Sequence, residues 1–170
     1  MSKRISLREF QENLARRLAE ASTSEHRGLL GIQAGSENWL LNLPDAGEIV
    51  PPPQLAPVPL SRGWYRGLVN VRGILYSVVD MARFHDDAIT PPSAQARLLL
   101  IGARHNVHSA ILVNRILGLH GEEDFEPDHG DPDPRAWVEA RLRDSQNRPW
   151  VRLNVPRLLS NNSFLNAGTS

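Results

Sequence analysis

The chain has 170 residues, 41% of them hydrophobic, so it is long enough for one compact domain or two small packed lobes, and wholesale disorder is excluded. Nineteen basic and 19 acidic residues cancel, and aromatic residues make up 6%, which removes the basic, aromatic-lined groove of a nucleic-acid binder. There is no cysteine, so disulfides, thiolate chemistry and sulfur-ligated zinc are out, and no apolar run approaches the ~18–20 residues that span a bilayer. With no apolar signal-peptide core at the N-terminus either, the expectation is a cytoplasmic chain with no direct membrane insertion. Eighteen of the 19 basic residues are arginine, whose rigid fork suits protein interfaces and carboxylate pairing, although nucleotide-composition drift explains the bias equally well.

Residues 5–21 predict a helix. Ser6 and Glu9 form a capping-box pattern, Ile5 and Phe10 a hydrophobic staple, and Leu7, Phe10, Leu14, Leu18 and Ala21 share one face. Such a helix lies either on its own domain or against a partner. Residues 22–28 are polar and read as a connector. Leu29–Ala34 and Trp39–Leu43 are short apolar runs around Gly35-Ser36-Glu37-Asn38, a hairpin by turn chemistry, and Ala46–Val50 is a third run. Five prolines make 51–59 a stiff non-helical segment, read as a loop between strands in preference to a proline-rich ligand.

Two β-rich runs, Leu68–Val71 and Ile74–Val79, flank Arg72-Gly73. Gly73 can take a positive φ at little steric cost, which presents Arg72 at the tip of a bend, either as a solvated charge or as a contact residue. In residues 82–90, His85-Asp86-Asp87 are adjacent, so their side chains diverge and read as solvated surface, not a metal site. Arg97–Gly102 and Ser109–Leu119 predict strands joined by a long turn, in which His105 and His108 lack further metal ligands. The acidic, proline-containing 120–134 reads as a mobile loop. Ala136–Leu142 alternates like a strand, 144–148 is a turn and Pro149–Val155 the returning strand. Pro156–Ser160 starts a short helix, and the polar segment from Asn161 reads as a frayed tail. About ten short strands with turn signals between them predict a mainly β fold with closed or nearly closed sheets.

Catalysis finds little support. Ser77, Asp80 and His85 supply the atom types of a hydrolase triad, but no nucleophile-elbow glycines surround Ser77. No phosphate-cradling loop or metal-ligand spacing is present, so no cofactor is expected.

The run G-L-V-N-V-R-G-I-L-Y-S-V-V-D-M over residues 67–81 resembles the signature segment of the CheW family. Glu48-Ile49 before the proline loop, Val58-Pro59, the 110–119 run and the closing Trp150 and Leu158-Leu159 are similar to further family features. In the 110–119 motif Asn114 stands where the family commonly has aspartate, which puts any ion pair of that aspartate in doubt. The resemblance implies a non-catalytic adaptor that links methyl-accepting chemoreceptors, at their cytoplasmic tip, to the regulatory domain of a CheA-type histidine kinase. It implies two packed five-stranded SH3-like β-barrels over residues 28–160, with an added N-terminal helix and connector (1–27), a short C-terminal helix and a flexible tail (161–170). It also places partner contacts on Arg72, Gly73, Asn70, Val71, Arg66, Asp80 and Asn114, and no contact with nucleic acid. Tyr76-Ser77, where most relatives have a proline at the second position, looks most like the pilus-type (PilI-like) branch serving type IV pili and twitching motility; Ser77 restores a backbone N–H donor to the strand. The alternative is an adaptor of flagellar chemotaxis. Either way the implied location is cytoplasmic, at membrane-associated receptor arrays.

Overall fold

The computed structural model describes residues 6–26 and 28–168, with side chains described outside 19–26. In chain order it contains α1 (Leu7–His26), β1 (Leu29–Ala34), β2 (Glu37–Asn42), β3 (Ala46–Val50), β4 (Tyr65–Val71), β5 (Ile74–Asp80), α2 (Met81–Phe84) and β6 (Arg97–Ile101). These are followed by β7 (Ser109–Val113), β8 (Arg115–His120), β9 (Phe125–Pro127), β10 (Val138–Asp144), β11 (Pro149–Leu153), α3 (Val155–Ser160) and α4 (Asn162–Leu165).

The strands form two sheets, one of six in the order β8-β1-β2-β11-β10-β9 and one of five in the order β3-β6-β7-β5-β4. Most pairs are antiparallel; β2 with β11 and β5 with β7 are parallel. The second sheet is one continuous stretch of chain. The backbone leaves the first sheet through the single turn Leu43–Asp45 and returns between β7 and β8, where only Asn114 separates the strands. The mainly β, two-sheet architecture is thus the expected one, but the first sheet has six strands, not five.

Both faces of the central strands are buried, and parity sorts their side chains. Trp39 and Leu41, Leu99 and Ile101, Ile111 and Val113, Val79, Val151 and Leu153 meet in one cluster between the sheets. The intervening residues Leu98, Leu100, Ala110, Leu112, Val78 and Val69 fill the inside of the second sheet. Leu29, Leu40 and Trp150 fill the inside of the first. Since successive residues of a strand point to opposite faces, such strands read as unbroken apolar runs.

Several local expectations meet a different outcome. The Ser6–Glu9 capping box is present, with Ser6 N–H donating to Glu9 at 3.1 Å and Glu9 N–H to Ser6 Oγ at 3.2 Å; the staple residue Ile5 and the Ala21 side chain lie outside what is described. The helix continues through 22–26, because that polar segment holds no glycine or proline to stop it. Its stripe is not laid on the body: Leu7, Phe10, Leu14 and Leu18 are 74%, 59%, 49% and 63% exposed.

The acidic segment is not a free loop. It contains β9, which pairs with β10, and Asp133 is held by Arg135 at 2.7 Å and Arg141 at 2.9 Å, while Asp128 meets Arg143 at 3.1 Å. His85 is not solvated either: it stacks on Trp39 at 4.5 Å and accepts the Trp137 Nε1–H bond at 2.8 Å. Asp87 turns back to take the Ser36 N–H at 2.8 Å, and Asp86, with φ 61, points to solvent. Beyond Asn161 the chain forms α4, whose Phe164 is buried against Trp64 and Phe84.

The proline loop lies along β4. Ala56 and Leu68 exchange both backbone hydrogen bonds at 2.9 Å, covering part of an otherwise bare edge strand. This close approach depends on Gly67, with φ +112, where a Cβ would stand 2.1 Å from the Ala56 carbonyl oxygen.

Candidate partner-binding surface

The β4–β5 hairpin closes through two residues, Arg72 and Gly73, both at positive φ (52° and 83°). This is the geometry of a type I′ turn, whose twist matches that of the flanking strands. The Asn70 carboxamide oxygen accepts the Gly73 N–H at 2.9 Å and locks the tip. No heavy atom lies within 4 Å of where a Gly73 Cβ would be, so the glycine serves the backbone angle and not a close contact. Arg72 is left-handed as well as Gly73, and a non-glycine residue there costs about 1 kcal/mol.

From this tip the Arg72 guanidinium reaches Glu48 on β3, donating Nη1–H to Oε2 at 2.8 Å and Nη2–H to Oε1 at 2.5 Å. β3 and β4 are the outer strands of the second sheet, so the pair is a clasp across the seam left when that sheet curls. The Arg72 side chain is 77% exposed, and exposed pairs contribute about 0–1 kcal/mol. Around the clasp Ile49, Ile74 and Leu75 remain 38%, 42% and 54% exposed. Beside it lies a groove of about 310 Å³ lined by Glu48, Ile74, Tyr76, Val107 and His108. An arginine ringed by apolar side chains is the composition that favours protein–protein contact.

The other expected residues sit elsewhere. Val71 is half-buried against the inner cluster of the second sheet. Asp80 is wholly buried and offers no atom to a partner. It accepts from Thr90 N–H at 2.8 Å, Thr90 Oγ1–H at 2.7 Å, Arg66 Nη1–H at 3.1 Å and Arg83 N–H at 3.3 Å, the last capping α2. As a direct contact residue it is therefore corrected: a carboxylate receiving four donors inside the protein fixes the base of the hairpin. Arg66, half-buried, is its ionic partner. Asn114 accepts the Gly35 N–H at 2.7 Å and joins the chain's sheet-to-sheet crossing to the β1–β2 turn; it makes the link without a charge. Arg66 lies six residues from Arg72, about 20 Å along a strand, so tip and base are separate places.

Ser77, Asp80 and His85 do not converge. The Ser77 hydroxyl takes the Tyr65 OH at 3.2 Å, and His85 is engaged by Met81 and Trp137. His105 meets Asp45 at 2.7 Å. Among the described residues no group of three or more metal-ligating side chains could hold an ion, and no helix is long and apolar enough to cross a membrane. What sequence reasoning missed is Glu48 as the partner of Arg72, 24 residues away, and the exposed Ile49, Ile74 and Leu75. The one available signal was Ile74-Leu75, where two apolar neighbours must point to opposite faces.

Comparison with known proteins agrees with this architecture. The CheW-like domain pattern matches residues 28–163. Protein PilI of Pseudomonas aeruginosa is 23% identical over 143 residues, covering 80% of this chain and 77% of PilI. The crystal structure of the scaffolding protein TtCheW from Thermoanaerobacter tengcongensis superposes with a TM-score of 0.66 at 17% identity, covering 81% of this chain and 94% of that one. With the domain pattern matched over residues 28–163 and the fold superposing over 81% of its length, the chain belongs to the CheW-like domain family.

Proposed function

We propose that this protein is a non-catalytic coupling adaptor that holds a methyl-accepting chemoreceptor and the regulatory domain of a CheA-type histidine kinase in register. The observation that carries the reading is the hairpin tip, a bidentate Arg72–Glu48 pair of little stabilising value standing among exposed apolar side chains. Arg72 makes the contact, Gly73 and Asn70 hold its turn, and Val71 backs it. Arg66 and Asp80 brace the hairpin base, and Asn114 braces the joint between sheets. The adaptor domain spans residues 28–160 and works in the cytoplasm at receptor arrays, with no nucleic acid involved. Similarity to PilI supports the pilus-type branch and a role in the pathway that controls type IV pili and twitching motility.

Size-exclusion co-elution with the kinase regulatory region, followed by receptor-coupled kinase assays, tests this. Arg72→Glu sets like charges against each other at Glu48 and in any partner's acidic contact. It should weaken binding or coupling at least tenfold, about 1.4 kcal/mol, with an unchanged circular dichroism spectrum. Normal coupling by Arg72→Glu removes Arg72 from the site, and failure of the wild-type protein to bind the kinase region overturns the adaptor reading.

A further inference from the structure

At the base of the hairpin lies a second cavity, of about 400 Å³, lined by Arg66 together with Pro52, Pro53, Leu55, Pro91, Pro92 and Leu112. Four of these residues are prolines, from two different segments, so the walls are stiff before anything binds. Arg66 brings the only guanidinium to this lining, and its side chain is 27% exposed. Its Nη1 is spent on Asp80 at 3.1 Å and reaches the Thr90 carbonyl at 3.5 Å. Among the described residues its Nε and Nη2 have no partner.

Arg135 shows what a complete arginine looks like in the same molecule. Its fork bridges two carboxylates, Glu37 at 2.7 and 2.9 Å and Asp133 at 2.7 and 2.8 Å. Arg66 has the first carboxylate, Asp80, and lacks the second. Asp80 is buried and already receives Thr90 and Arg83 donors, so it cannot turn to satisfy the remaining nitrogens. A planar cation with two free donors beside apolar walls is matched by a carboxylate carried next to an apolar group.

We infer that this cavity receives an acidic segment of a partner protein, with an Asp or Glu carboxylate on Nε and Nη2 of Arg66 and the neighbouring apolar side chain against Leu55 and Leu112. The inference rests on the adaptor reading for the partner being a protein, and its site is distinct from the Arg72 tip. The test is a ¹⁵N NMR titration of the whole chain with the probe peptide acetyl-Ala-Leu-Glu-Ala-amide, its Gln analogue, and sodium acetate. The Glu peptide should move the Arg66 Nε–H signal and the Thr90, Ala96 and Leu112 amides saturably at millimolar concentration. The Gln analogue should bind at least tenfold more weakly, and acetate should not saturate over the same range. Ser93, which also lines the cavity, is exposed; Ser93→Glu tethers a competing carboxylate there and should weaken the Glu peptide at least fivefold at unchanged melting temperature. Equal affinity for the Glu and Gln peptides, acetate matching the Glu peptide, or no saturable shift overturns the inference. Kinase co-elution run on the same sample separates the two readings: retained co-elution without peptide shifts sinks the cavity alone, and peptide shifts without co-elution support the cavity and sink the adaptor.

Discussion

The environment of His85 dictates its protonation. Nε2 accepts the Trp137 Nε1–H bond at 2.8 Å, so the proton must sit on Nδ1, which donates to the Met81 carbonyl at 2.9 Å. Burial, and after it the positive charge of Arg135, hold the pKa down to about 4 from 6.5. The folded state therefore keeps the ring neutral where the unfolded chain takes up a proton. Stability is fully present above pH 6.5 and falls as pH drops from there towards 4, by about 3 kcal/mol in total. Asp133 acts in the next window down. Its hydrogen bonds from Arg135 hold its carboxyl well below the usual carboxylate range, so its share is present above about pH 4 and is lost below that. Melting temperatures measured from pH 7.5 to 4.5 should decline for the wild-type protein and stay much flatter for His85→Gln, which cannot titrate. An equal slope in the variant would move the pH dependence to another group. The sequence shows His85-Asp86-Asp87 as a polar run and nothing more. The turn after α2, with Asp86 at positive φ, sends three consecutive side chains to an aromatic core, to solvent and to the β1–β2 turn, and that redirection has no compositional trace.

Among the elements, the break between β7 and β8 decides which sheet each strand joins. In sequence 109–119 is a largely apolar run; its first half was legible as a strand because both faces of Ala110–Val113 are buried, whereas β8 leaves Arg115, Gly118 and Leu119 exposed. The run's division was not legible, since Asn114-Arg115 is a weak interruption in a run of eleven. Asn114 makes the crossing by tying in both of its neighbours: its N–H donates to the Gln33 carbonyl at 2.8 Å and its side-chain oxygen accepts the Gly35 N–H at 2.7 Å. The Arg72–Glu48 clasp was hidden for a related reason: both residues were visible, but only the curl of the second sheet brings its outer strands together. Since the acceptor alone matters at 114, Asn114→Asp should stay within about 1 kcal/mol of wild type, with Asp87 on the next N–H of that turn setting the residual repulsion. Asn114→Leu strands the Gly35 N–H and should cost about 1–3 kcal/mol in urea unfolding. If leucine is tolerated as well as aspartate, water has replaced the bond and the joint depends on the backbone contact to Gln33.

Over the whole molecule, stability comes from the sheets and the short helices packed on them, since α2, α3 and α4 put Met81, Val155, Leu158 and Phe164 into the main core. Among the described residues none of the three buried clusters contains a residue before Leu29. Burying a leucine or phenylalanine side chain yields about 1.5–3 kcal/mol, and the four apolar residues of the α1 stripe, all at least 49% exposed, collect little of it. The Ser6–Glu9 box and the Arg8–Glu12 pair at 3.4 Å support α1 locally. The heptad-like spacing that made the helix legible reports only that one face is apolar. It carries no information on what covers that face, so packing on the domain and docking elsewhere were indistinguishable in sequence. The exposed stripe separates them in a measurable way. Deleting residues 1–26 should lower helical ellipticity while leaving the melting temperature of the remaining domain within about 2 °C, because among the described residues no core cluster loses a member. A drop of more than about 5 °C would mean that the helix folds down onto the sheets in solution, and the loss would then measure the area it covers there.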